Sequence, residues 1–331
     1  MADKVNSTLL PKFSYDSRRI ERQLTIFSER VGEARGLHVA LSVGEHEAII
    51  ATARADEIAC VSQVAGPAVI GSQRDEGGVA TLGQADVVAA MMNEANDPER
   101  VIDVATIAKW KGMLSGKMTA ANAEPDTVVY SEGLPVDITG FLDCIGDSGE
   151  MPEVCRAAVA LLWCEVFGRS DGQFAVIGRV VIAHFFARSG GLPFSVSREI
   201  ARDQGGYATA VATLRQRGRG AIDATEFVVW LLGALLCGAD ICLENARWLA
   251  RRNRFFMRCD GVVSRRQELA LRRLFAVGPE AVDEGFSARS YRQIADVSSA
   301  TATRDLAQMC AKRVLRQGEN GGRSTRYSLE F

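Results

Sequence analysis

The sequence predicts an all-α body carrying one small β-hairpin, followed by a C-terminal winged helix-turn-helix domain. Three observations predict it. Apolar residues recur at helical spacing through most of the chain before residue 250. Strand-like alternation is nearly absent before residue 314. From Ser264 to Phe331 the pattern reads as three helices and then two strands around a glycine-rich turn. A chain of 331 residues exceeds one ordinary core. The expected division is an N-terminal helical region over 1–120, a core over 121–250 and the winged helix over 251–331.

The elements follow in order. Ile20, Leu24, Phe27 and Val31 give Asp16–Gly36 one apolar helix face. Ser42–Cys60, rich in Ala and Glu, is a second helix, and Gly66, Pro67, Gly71 and Glu76-Gly77-Gly78 mark a loop after it. Val87–Asn93 and Arg100–Leu114 are helices on either side of the Asp97-Pro98 break. Val128-Val129-Tyr130 with Gly133 and Pro135 suits a hairpin within Asn122–Pro135. Ile138–Ile145, Val154–Val166, Val176–Ser189, Ser197–Arg215 and Ala224–Leu249 complete the helical body. The arginine-dense stretch Arg247–Arg266 is the expected junction.

Composition narrows the function classes. Hydrophobic residues make up 47% and charged residues 24%, which is a globular balance. Met1–Pro11 lacks the apolar core of a signal peptide. Phe227–Gly238, the longest apolar run, is short of a bilayer span. A cytoplasmic chain without membrane association is expected. Eight cysteines without a CxxC pair and three scattered histidines predict reduced thiols, no metal site and no cofactor. The net charge of −2 is unevenly spread: residues 247–331 hold 17 Lys+Arg against 9 Asp+Glu. A basic terminal module on an acidic body suggests a polyanionic partner, double-stranded DNA first among them. A solvated basic face without a ligand is the alternative.

Within that module, Arg265–Val277 is a first helix, with Leu271, Leu274 and Phe275 on one face, and Gly278-Pro279 ends it. Ala288–Ala295 is a second helix, held by Tyr291 and Ile294. Ser298 or Ser299 caps a third, whose inward positions are Ala302, Leu306, Met309 and Cys310. The strands Val314–Gln317 and Thr325–Glu330 frame the turn. The candidate DNA contacts are Ser299, Thr301, Thr303, Arg304 and Gln308 on the third helix, with Arg323 and Arg326 on the wing.

Thr301-Ala302-Thr303-Arg304-Asp305-Leu306 and Gly322-Arg323-Ser324-Thr325-Arg326-Tyr327 resemble the tail of bacterial Fic-domain proteins, which reads TA-x-RDL and then GRST-x-Y. Ser264-Arg265-Arg266-Gln267 resembles the start of that tail. Gly191-Leu192-Pro193, Tyr207-Ala208-Thr209-Ala210 and Trp230-Leu231-Leu232 resemble the segments after that family's active-site helix. Ala157–Trp163 resembles the helix before it, and Tyr130–Pro135 the flap that aligns a target segment. The likeness spans residues 13–331, sharpest in the tail, and implies a Fic-like helical body.

The family's motif, H-P-F-x-(D/E)-G-N-G-R-x-x-R, joins a general base to an anion-binding helix N-terminus. Laid on Asp171-Gly172, it puts Phe167 in place of the histidine, Gln173 for Asn and Phe174 for the second Gly. Ala175 replaces the first Arg and Gly178 the last, so only Asp171 and Gly172 match. Phenylalanine accepts no proton, Phe174 crowds the diphosphate's approach, and Ala175 carries no charge. Arg179 lies one residue late, about 100° around the helix. His184 lies more than three turns down this helix from Gly172, where a packed core histidine is expected. The inhibitory motif of the family has no counterpart glutamate in Ser62-Gln63-Val64-Ala65-Gly66. The expectation is a transcriptional regulator on an inactive Fic-like body, with homodimerisation left open. Two alternatives remain: a pseudoenzyme binding a protein partner (a toxin or a catalytic relative) through that body, and a nucleotidyl transferase with a remodelled site.

Overall fold

The structure is a computed structural model. It describes residues 13–69, 83–116, 138, 141–142, 146, 151–167, 172–215, 222–318 and 325–331. The expected hairpin over Asn122–Pro135 lies outside the described residues. The chain forms two compact units. One holds the described residues up to Arg35 together with Val43–Leu243, and the other holds Gly36–Ser42 with Glu244–Phe331.

The first unit is helical. Its elements are β1 (Phe13–Ser14), α1 (Ser17–Val39), α2 (Val43–Val69), α3 (Gln84–Ala95), α4 (Val104–Leu114) and α5 (Glu153–Phe167). Then come α6 (Gln173–Arg188), α7 (Val196–Arg202), α8 (Gln204–Arg215), β2 (Ile222–Asp223) and α9 (Thr225–Cys259). α1 and α9 each continue from this unit into the other. The central element is α6, buried on nearly every side from Gln173 to Phe186, as expected of a helix apolar all round. α2, α3, α4 and α5 pack on it, α5 most extensively. Gly178 sets how closely α5 approaches: a Cβ there would lie 2.9 Å from the Cβ of Cys164. Trp163 stacks on Phe141 at 4.3 Å between centroids and meets the edge of Phe174. His184 is a core residue, its Nδ1 2.9 Å from the carbonyl of Ala95, and burial lowers its pKa.

Several local expectations are corrected. The loop expected from Gly66 is still helix there, since α2 runs through Gly66 and Pro67 to Val69. The helix expected over Ser197–Arg215 is two helices, α7 and α8, broken at Asp203. The Asp203 carboxylate accepts from the amide of Gly206 at 2.9 Å and from Nε1 of Trp230 at 2.8 Å, which fixes it as a cap rather than a helical residue. β1 pairs in parallel with β2, Phe13 opposite Ile222, where only helix was expected. Thr225 joins the same corner by accepting from the amide of Asp16 at 2.9 Å. Finally, α9 does not stop at Leu249. Phe255 and Cys259 are buried, and Trp248 and Phe256 pack beside them, while arginines take the outer positions. That amphipathic face extends the helix through most of the expected junction, to Cys259. The apolar run Phe227–Gly238 is thus part of a 35-residue helix long enough to cross a bilayer, but Phe227, Val228, Leu231, Leu232 and Leu235 are fully buried in this unit's core.

The second unit takes the C-terminal part of α9 and adds α10 (Arg265–Val277), α11 (Pro279–Glu284), β3 (Phe286–Ser287), α12 (Ala288–Ala295), α13 (Ser299–Ala311), β4 (Leu315–Gln317) and β5 (Arg326–Leu329). The strands form one antiparallel sheet in the order β3-β5-β4, with Phe286 opposite Tyr327 and Leu315 opposite Leu329. Pro279 does not simply end the first helix: it occupies the first turn of α11, where its missing N–H costs nothing. Gly285 has φ 69°, and a Cβ there would sit 2.2 Å from the carbonyl oxygen of Tyr327, so only glycine lets β3 lie against β5. Leu271, Leu274, Phe286, Tyr291, Leu306, Met309 and Leu315 form the core.

Candidate functional site

In the second unit α12 and α13 are joined by a tight turn, each helix with its own cap. Ser287 accepts from the amide of Ser290 at 3.0 Å, and Ser298 from the amide of Thr301 at 3.3 Å. Asp296 closes α12 in the left-handed conformation, φ 52° and ψ 58°, which a short polar side chain tolerates. Ser298, not Ser299, is the N-cap of α13.

A buried polar cluster then fixes how α13 meets its neighbours. Asp305 is only 2% exposed, on the inward face with Ala302, Leu306 and Met309. Its carboxylate accepts from Nε and Nη2 of Arg266 on α10, at 2.9 and 2.8 Å, and from the hydroxyl of Tyr291 on α12 at 3.0 Å. The Arg266 bonds hold the Asp305 carboxyl below its ordinary pKa, against the opposing effect of burial. Burial raises the Tyr291 hydroxyl, and the Asp305 charge adds to the rise. Gln267, fully buried, donates to Oε1 of Gln308 at 2.9 Å and accepts from the amide of Ser264 at 2.9 Å. One carboxylate therefore ties α10, α12 and α13 together. In the sequence the adjacent Arg304-Asp305 pair reads as a brace of the helix against its neighbour; the structure makes the brace with Asp305, held by Arg266 and Tyr291.

With that face occupied, the opposite face of α13 is left to solvent. Ser299, Thr303, Arg304 and Gln308 are exposed and Thr301 is half-buried. Thr301 and Ser298 share a hydroxyl hydrogen bond of 3.0 Å, and Thr303 donates back to the carbonyl of Ser299 at 3.0 Å. Gln308 is exposed but its side chain already serves Gln267. Arg304 makes no hydrogen bond or ion pair among the described residues; the partner of Asp305 is Arg266, not its sequence neighbour. Arg326, on β5, lies 3.6 Å from Glu284, both largely exposed, so that pair is loose. Arg323 lies outside the described residues.

Four further cations belong to this surface. Arg289 and Arg292 on α12, Arg313 after α13 and Arg316 on β4 are exposed, and none has an ion pair among the described residues. They contrast with Arg18, Arg19 and Arg272, which pair with Asp16, Glu226 and Glu268. The net charge of the segment was their only signal in the sequence.

The second candidate region is the start of α6. Gly172 stands at the helix N-terminus in the left-handed region, φ 69° and ψ −14°. Asp171 lies outside the described residues, as does the placement of the Phe167 side chain. Gln173 is buried and donates to the hydroxyl of Ser115 at 3.0 Å. Phe174 is 3% exposed and lies under the ammonium of Lys111 at 5.1 Å. Ala175 is half-buried, and Gly178 faces Cys164 and Leu161 with no room for a longer side chain. Arg179 is buried over the ring of Tyr207, whose hydroxyl donates to Glu165. The described residues contain no cluster of three or more potential metal ligands. Among the described residues, this helix terminus presents the buried Gln173 and Phe174, with the ammonium of Lys111 over the Phe174 ring.

No family model and no curated protein matches the chain. Among solved structures, a Fic family protein from Desulfovibrio desulfuricans G20 is similar to it with a TM-score of 0.46 and 12% sequence identity, over 97% of this chain and 98% of that chain.

Proposed function

We propose that this chain is a transcriptional regulator, in which the second unit is a winged helix-turn-helix module reading double-stranded DNA and the first is a Fic-like body without transferase chemistry. The observation that carries the reading is a set of five exposed arginines around α12, α13 and the start of the hairpin, Arg289, Arg292, Arg304, Arg313 and Arg316, none with an ion pair among the described residues. Like charges gathered on one small module repel one another, and a phosphate backbone relieves that repulsion. The element order supports the same reading: α10, then α12, a tight turn, α13 and the β4–β5 hairpin. In it the exposed N-terminal half of α13, with Thr303 and Arg304, enters the major groove. The hairpin, with Arg323 and Arg326, lies on phosphate.

The inactive body rests on packing as well as on lost motif residues. Glycine at 178 is what allows α5 to approach, and Phe174 is a core side chain. No metal or cofactor is part of this reading, and the compartment is the cytoplasm. Genome-wide mapping of DNA bound by the tagged protein tests it: a regulator gives discrete, recurrent sites, whereas a pseudoenzyme that acts through a protein partner gives none.

A further inference from the structure

We propose that the first unit contains a binding pocket for a small carboxylate with an apolar body, set between α2, α3, the C-terminal end of α6 and the segment 190–196. A cavity of about 400 Å³ lies there, within the range of small-molecule sites and large enough for roughly a dozen water-sized groups of ~30 Å³ each. Its location separates it from the start of α6: Phe186 on its wall is thirteen residues beyond Gln173, about 20 Å along the helix.

The wall is apolar, built by Ile50 and Ile58 of α2, Phe186 of α6, and Phe194. Among the charged lining residues, Glu57 is already committed. Its Oε2 accepts from the hydroxyl of Ser195 at 2.6 Å and from the amide of Ser197 at 3.0 Å, at the N-terminus of α7. The favourable end of the α7 dipole faces that carboxylate. Arg54, one turn earlier on α2, is exposed and has no hydrogen bond or ion pair among the described residues. The side-chain amides of Asn93 and Asn96, at the end of α3, likewise have none.

Among the described residues the pocket therefore offers an apolar interior, the guanidinium of Arg54 and the carboxamides of Asn93 and Asn96 without hydrogen bonds or ion pairs, with His46 also in the lining. A guanidinium beside amide donors recognises a carboxylate through charge-assisted hydrogen bonds. The apolar wall asks for a ring or branched chain attached to it. A multiply charged phosphate fits less well, because the carboxylate of Glu57 also lines the cavity. The inference does not depend on the second unit's binding DNA.

The test is calorimetric titration of the full-length protein with phenylacetate, octanoate and the neutral phenylacetamide, repeated on Arg54→Gln and Asn93→Ala. Both substitutions are at exposed positions, so the fold is retained. Saturable one-to-one binding of either carboxylate is expected, with no binding of the amide. Arg54→Gln should weaken it at least about tenfold, and Asn93→Ala by a smaller factor. Absence of saturable binding of both carboxylates at millimolar concentration overturns the proposal. Equal binding of the amide, or unchanged affinity in Arg54→Gln, overturns it as well.

Discussion

Replacing Asp305 by alanine isolates the cluster that presents α13. Three hydrogen bonds to one buried carboxylate disappear, two from Arg266 and one from Tyr291. The side chain of Arg266 is 49% exposed, so its guanidinium regains water and loses little. Tyr291 is fully buried, and its hydroxyl is left without an acceptor. Stranding such a group, together with the lost charge-assisted bonds, sets the cost at about 2–3 kcal/mol. Asp305→Asn should cost less, because its carbonyl still accepts from Tyr291. The sign with pH follows from the lowered carboxyl pKa. The stabilisation is fully present above the unfolded-state value of about 3.9 and is lost as pH falls through the lower folded-state value. The gap between wild type and Asp305→Asn should therefore be constant from about pH 8 to 5 and narrow below about pH 4. Urea unfolding at several pH values measures this. A penalty below about 1 kcal/mol for Asp305→Ala, or one that does not shrink on acidification, refutes the assignment of Asp305 as the tie between the three helices.

Other outcomes follow from the first unit. Gly178→Arg should destabilise the protein by about 1–3 kcal/mol or prevent folding, since even its Cβ meets Cys164 at 2.9 Å; an unchanged melting temperature would contradict the α5–α6 packing. Incubation with labelled nucleoside triphosphates and Mg²⁺ should label neither the protein nor a lysate above the level of Asp171→Ala, and stronger labelling by the wild type would restore the transferase alternative. Among the described cysteines, brief alkylation of the native protein should modify the exposed Cys237 first and leave Cys164 untouched, because burial drives the Cys164 thiol pKa well up; peptide mapping reads this directly, and early modification of Cys164 would contradict its burial.

What the sequence makes legible is what repeats locally. Ile20, Phe27 and Val31 announce α1, and Ala302, Leu306 and Met309 announce the buried side of α13. Ser298, one of two candidate caps, announces the start of α13, because a capping serine acts on its own next three residues. Most of the misses are long-range, Pro279 at the start of α11 being a local one. Asp203 breaks a helix because Trp230, far along the chain, helps hold its carboxylate. Phe13 becomes a strand residue only through Ile222. Asp305 is buried because Arg266, 39 residues away, meets it. Phe255 and Cys259 carry α9 through an arginine-rich stretch that reads locally as a junction. At the candidate interface, Thr303 and Arg304 were visible from helical spacing. The exposed arginines of α12 and β4 were visible only as net charge, since spacing does not tell which cations find acids. The carboxylate pocket had no local signal, being assembled from four separate segments.

The most direct measurement of the central claim is titration of the full-length protein against its preferred genomic fragment and a scrambled one, at two salt concentrations. The account predicts salt-dependent binding to both, tighter to the first. Arg316→Ala should weaken both and flatten the salt dependence. Arg304→Ala should instead erode the discrimination by about 1–3 kcal/mol. No measurable binding to either fragment, or full discrimination retained in Arg304→Ala, would contradict it.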